Sequence, residues 1–114
     1  LFKSYLNEGK IKLLPDLYWN SPLFYNWFPY HIKVVLAASN LVISKGDAHY
    51  RRFLQDKDWA YNASLSTVIG YFRKPLLLLR TLKSEVLAGI TEQAITKAKK
   101  TDSEWLTNGK FGLI

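Results

Sequence analysis

Residues 41–51, Leu-Val-Ile-Ser-Lys-Gly-Asp-Ala-His-Tyr-Arg, and residues 75–83, Pro-Leu-Leu-Leu-Leu-Arg-Thr-Leu-Lys, decide the fold class. Each runs an apolar stretch into charged and polar side chains. Pro75 to Leu79 is unbroken apolar sequence, short and bounded by a proline, which predicts a strand buried on both faces as in parallel sheets. Leu41 to Ser44 predicts a second short strand. Gly46 lets the backbone turn after it, and Tyr50, Phe53 and Leu54 give the next segment a helical face. In open α/β sheets ligands bind outside the carboxyl ends of the strands. Two strand ends, both cationic, therefore point to an anionic ligand.

Outward from this pair the pattern is weaker. Leu1 to Glu8 reads as the tail of a helix closed by Gly9, and Ile11 to Leu14 as a short buried strand. Residues 15–29 carry Pro15, Pro22 and Pro29 among six aromatic side chains, which predicts an ordered irregular loop. Ile32, Val35 and Leu36 return at helical spacing within Tyr30 to Ser39, and Asn40 ends that helix. Ser64 to Phe72 predicts a short helix with Ser64 as N-cap and Leu65, Val68 and Ile69 facing the core. Thr91 to Asp102 is polar and lysine-rich, a helix or a mobile excursion, and Phe111 to Ile114 predicts a last strand. The order β, α, β, α, α, β indicates an α/β layered fold without repeats or an interdomain linker.

Composition narrows the classes of function. The 114 residues make one small domain, and four Trp, seven Tyr and six Phe give it enough bulky side chains for a core. A formal charge of +7 and a pI near 9.7 favour nucleic acid, a membrane surface or phosphorylated metabolites as partners. The cations are scattered, and only Lys97 to Lys100 approaches a run. With no cysteine the chain has no disulfide, thiolate zinc site or thiol nucleophile, in keeping with an intracellular, cytoplasmic protein. Its apolar stretches fall far short of the roughly 18 residues that span a membrane. The chain opens on Leu1 and holds no methionine, which reads as a fragment truncated at least at its N-terminus.

The candidate site residues each admit two readings. In Lys45-Gly46-Asp47-Ala48-His49-Tyr50-Arg51, the turn at Gly46 can aim the following amides at a phosphate. Alternatively, Asp47 is only a helix N-cap with Arg51 as its ion-pair partner one turn on. In Arg80-Thr81-Leu82-Lys83, two cations and a hydroxyl supply charge-assisted donors at a strand end. The plainer alternative pairs Arg80 with a buried carboxylate and leaves Lys83 solvated. The glycines of a P-loop or dinucleotide fingerprint are absent. His31 and His49 have no second histidine at metal-site spacing, and His31 reads as a helix-start surface residue. The aromatic loop around Trp19, Trp27 and Phe28 either stacks a base or packs over the sheet edge, and the lysines at 97 to 100 read as a solvated face.

Taken together, the 41–52 segment, Trp59, the Pro75 to Val86 segment and the terminal Gly109-Lys-Phe-Gly-Leu-Ile resemble the C-terminal part of the damage-control phosphatases, the family once called domain of unknown function 89. Arg80-Thr81-Leu82-Lys83 resembles the Arg-Thr-x-Lys mark of its third subfamily, the acidic-residue methyltransferase-1-like proteins. The aromatic run from Tyr18 to Pro29 is similar too, so the likeness spans nearly the whole chain. It implies a three-layer α/β/α fold with a mostly parallel sheet, residues 1–114 being the C-terminal part of a single domain. It also implies a metal-dependent phosphatase acting on small phosphorylated metabolites such as fructose 1-phosphate and fructose 6-phosphate. The divalent ion (Mn2+, Ni2+, Co2+ or Mg2+) would be held by an Asp-Asn pair and a further Asp upstream, so this chain would contribute no metal ligand and no catalytic residue. Substrate contacts would fall on Asp47, Ala48, His49, Tyr50 and Arg51 and on Lys83, with Lys45 and Gly46 beside them. His49 stands where the family usually has Asn, which exchanges a carboxamide for a bulkier, ionisable ring. Members have also been proposed to methylate protein carboxylates with S-adenosylmethionine, and a basic nucleic-acid-binding module is a third reading. No membrane partner is expected, and nucleic acid ranks behind a metabolite.

Overall fold

The computed structural model describes residues 1–114. Its centre is a three-stranded sheet in the order β1-β2-β3, built from β1 (Val42–Lys45), β2 (Leu76–Thr81) and β3 (Gly112–Leu113). β1 and β2 run parallel with Val42 opposite Leu76 and Lys45 opposite Leu79, whereas β3 returns antiparallel with Leu113 opposite Arg80. Parallel neighbours need a crossover. Here the crossover carries α3 (Asp47–Phe53) and α4 (Leu65–Val68), while α1 (Phe2–Asn7) and α2 (Tyr30–Ala37) precede β1 and α5 (Glu92–Thr101) precedes β3. The fold is α/β.

Strand periodicity sorts the side chains of the sheet onto two unlike faces. Leu78 and Arg80 of β2 are buried on the face that meets α3, whose Tyr50 and Phe53 join them in the core with Leu54 behind. On the other face Ile43 and Thr81 are exposed and Leu77 and Leu79 half-buried, so β2 is closed on one side and partly open on the other rather than buried on both. The strand also runs two residues past Leu79, which draws Arg80 and Thr81 into the sheet itself.

Several local expectations hold. Gly9 closes α1 at φ +69°, α2 begins at Tyr30 after Pro29, and Val68 of α4 is buried. The lysine-rich segment is the helix α5, N-capped by the Thr91 hydroxyl on the Ala94 amide, with Lys97, Lys99 and Lys100 on its exposed side. Residues 11–14 form no strand: Lys12 interrupts the apolar run, Leu13 and Leu14 are exposed, and the sheet does not include the segment. α4 is shorter than predicted, because Ile69 already leaves helical geometry ahead of Gly70.

The aromatic loop is ordered by a buried cation. Two 3-10 turns, Leu17–Asn20 and Tyr25–Trp27, fold Tyr18, Tyr25 and Phe28 into the core, while Trp27 stays outside. Arg52 of α3 sits beneath them. Its guanidinium donates to the carbonyls of Leu23 (2.6 Å), Trp19 (2.8 Å) and Tyr18 (2.8 Å) and lies 4.2 Å from the Tyr25 ring centre and 4.9 Å from that of Tyr18. A loop of this kind buries carbonyls that no ladder satisfies, and one fork-shaped donor set satisfies three of them. Arg52→Lys keeps the charge but not the fork, and should lower the stability of the intact protein by about 2 kcal/mol in urea titration; a midpoint equal to the parent's would show that the clamp is not structural.

Candidate functional site

A cleft of about 520 Å3 opens where β1 and β2 end. Lys45, Gly46 and Asp47 form one wall, Leu79, Arg80, Thr81 and Lys83 the floor and far side, and residues 112–114 the third wall. Carboxyl ends of adjacent parallel strands are where backbone and side-chain donors converge in α/β folds. The turn itself depends on Gly46, which caps α3 at φ 118° and ψ 153°, a conformation closed to side chains with a Cβ. Space is not the reason, because a Cβ there would meet nothing nearer than His49 Cδ2 at 3.9 Å.

Directly after the turn Asp47 reaches across to β2. Arg80 Nη2 donates to Asp47 Oδ1 at 2.5 Å, and Ser84 Oγ approaches the same oxygen at 3.4 Å. The Arg80 side chain is fully buried: it also donates to the Ser84 carbonyl and hydroxyl and to the Val86 carbonyl, and it lies 4.4 Å from the Tyr50 ring centre. Its Nε alone lacks a partner. The plainer reading describes Arg80, which pairs with a carboxylate, but not Asp47: the N-cap of α3 is Gly46, and Arg51 pairs with Asp56 instead. Asp47 Oδ2 remains without a protein donor.

The lysines are placed differently. Lys45 and Lys83 are both exposed at the cleft and neither enters an ion pair. Lys83 is carried by a backbone fixed on both sides, Leu82 donating to the Phe111 carbonyl (2.8 Å) and accepting from Gly109 (3.0 Å). Its stem runs close over Gly109, where an added Cβ would lie 3.7 Å from Lys83 Cε.

The remaining candidates lie apart from this cleft. Arg51 is turned to Asp56, donating from Nε (2.7 Å) and Nη2 (2.6 Å), and this guanidinium holds the Asp56 carboxyl below the usual carboxylate range. Tyr50 is buried, its hydroxyl donating to the Ala88 carbonyl and accepting from the Ala88 amide, and burial pushes its pKa up. Leu82 is core and Ala48 is exposed on α3. His49 lines a neighbouring apolar pocket of about 240 Å3 with Tyr25, Phe28 and Phe53, to which Lys45 also contributes. His31 pairs with Asp16 at the surface, 2.8 Å away. No three His, Cys, Asp or Glu side chains come together as a metal shell. The wall at 112–114 was not among the sequence candidates, although the terminal strand predicted there carried the signal.

The sequence matches the damage-control phosphatase ARMT1-like domain over residues 2–98. The chain belongs to that family. A zebrafish (Danio rerio) protein named damage-control phosphatase ARMT1 is 34% identical over 80 residues, covering 69% of this chain and 18% of the relative. The human and mouse proteins of the same name are each 26% identical over 117 residues, 99% of this chain. The chain spans only 26% of the human protein's length and 27% of the mouse protein's.

Within this family member, removing one partner of the buried pair should cost far more than removing one of the exposed pair. Asp47→Ala leaves a guanidinium uncompensated and should lower unfolding free energy by about 3–5 kcal/mol, against roughly 0–1 kcal/mol for Arg51→Ala. Equal losses in chemical denaturation would contradict the assignment of Asp47 to Arg80.

Proposed function

We propose that this chain forms the phosphate-binding side of a damage-control phosphatase acting on small phosphorylated metabolites, sugar phosphates such as fructose 1-phosphate and fructose 6-phosphate among them. The observation that carries the reading is the pair of uncompensated ammonium groups, Lys45 and Lys83, facing one cleft at the ends of two parallel strands. A phosphate monoester brings two negative charges and three acceptor oxygens, which two flexible point-charge donors on opposite walls can share. Asp47 Oδ2 is an acceptor held close by, suited to a sugar hydroxyl rather than to the phosphate, since like charges repel. Arg80 supports the site without offering charge to it, because Asp47 already neutralises its guanidinium. His49 lines the neighbouring apolar pocket rather than the cleft, and Arg51 is engaged by Asp56.

These residues do not compose a shell for the divalent ion that the family resemblance implies, and no step of the reading runs through one. Such an ion would require ligands other than these side chains. Residues 1–114 as part of a single larger α/β/α domain is a reading supported by shape and burial. The radius of gyration is 16.2 Å, against about 13 Å for a compact chain of this size. Only 16 of 114 residues are buried, and Ile43 is 59% exposed on the open sheet face. No helix is long and apolar enough to cross a membrane.

In the intact protein Lys83→Ala should reduce kcat/KM for fructose 1-phosphate by about 10- to 1,000-fold, the range for losing one charge-assisted donor to an anionic centre. Unchanged kinetics would remove Lys83 from the phosphate site.

A further inference from the structure

We infer that Tyr25 is a positioning residue for His49: its hydroxyl donates to Nδ1 and so fixes the neutral tautomer that carries its proton on Nε2, making His49 a hydrogen-bond donor beside the cleft. The inference starts from geometry. Tyr25 sits in the aromatic loop, twenty-four residues before His49, yet its Oη is within hydrogen-bonding distance of His49 Nδ1. The two rings lie nearly parallel, 15° apart with centroids at 5.9 Å, so the contact fixes the plane of the imidazole as well as one of its nitrogens. Tyr25 is itself immobilised. It is 3% exposed, stacks on Phe28 at 4.9 Å, meets Phe53 edge-on at 4.6 Å and has the Arg52 guanidinium packed against its ring.

The opposite edge of the ring faces the functional turn. The Cδ2 atom, bonded to Nε2, is the first atom a Cβ on Gly46 would meet, and Gly46 lines the cleft. An imidazole held at Nδ1 by the loop thus presents its other edge to the Gly46 turn.

The direction of the proton follows from the chemistry of the two groups. A phenol is a good donor and a poor acceptor, whereas an unprotonated imidazole nitrogen is a good acceptor. Donation from Tyr25 therefore leaves Nδ1 without a proton and places it on Nε2. The surroundings keep both partners neutral. Burial raises the Tyr25 hydroxyl to about 12, and burial together with the nearby Arg52 charge holds the His49 pKa below the ordinary histidine value. The cation packed on Tyr25 is Arg52, whose charge disfavours an imidazolium at His49, and Lys45 lines the same pocket as His49. His49 is thus a fixed N–H donor at neutral pH, suited to an uncharged or anionic oxygen of a ligand, and not a proton reservoir.

The ligand role rests on the phosphatase reading above, but the tautomer does not, and the test separates them. Two-dimensional 1H–15N correlation of the histidine side chains in the intact protein at pH 7.5, a pH chosen near about one unit above the free histidine pKa, should show His49 with a protonated Nε2 and an unprotonated Nδ1. Tyr25→Phe should give a mixture of tautomers, raise the His49 titration midpoint by up to about one pH unit, and raise KM for fructose 1-phosphate several-fold with little change in kcat. A proton on Nδ1, or a doubly protonated ring, in the unmodified protein overturns the inference even if the enzyme is active. Spectra as expected with no phosphatase activity would overturn the functional reading instead and leave the positioning role standing.

Discussion

A buried ion pair between residues 33 apart, Asp47 on the first turn of α3 and Arg80 near the end of β2, is the contact on which the site depends. Taking a guanidinium fully out of water is costly unless its donors are matched, and here a carboxylate, a hydroxyl and two carbonyls match all but the Nε. The pair ties the Gly46 turn to the strand beside it, so that the end of β1 and the end of β2 present one wall each of the same cleft. It also cancels the charges nearest the sheet. What remains facing the cleft is Lys45 and Lys83, and the positive character of the site is theirs.

The second buried arginine repeats the principle on an irregular element. Arg52 has no carboxylate; it is satisfied by loop carbonyls and by the faces of Tyr18 and Tyr25. Placing a cation under an aromatic loop fixes backbone that hydrogen-bonded ladders cannot reach. It also carries that order to α3, because the same Tyr25 reaches His49. The loop and α3 are in this way joined through both Arg52 and His49.

The sequence made the scaffold legible and the partners less so. Apolar runs bounded by Pro75 and Gly46 marked both parallel strands, since such runs have few other uses, and Lys45, Gly46, Asp47, Arg80, Thr81 and Lys83 do share a cleft. Which acid meets which base was not legible: helical spacing favoured Asp47 with Arg51, but the tertiary fold supplied Arg80 to the one and Asp56 to the other. Burial of Arg52 left no mark either, because neither local period nor spacing distinguishes a core arginine from a solvated one. The Ile11 to Leu14 segment failed for a related reason: four residues with Lys12 among them cannot define a strand without a neighbour to pair with.

The most direct test of the central claim is a crystal structure of the intact protein with orthophosphate in the cleft. The account predicts an anion between the Lys45 and Lys83 ammonium groups, with Asp47 and Arg80 still paired below it. An anion held elsewhere, with Lys83 turned to solvent or Arg80 released from Asp47 to bind it, would contradict the account.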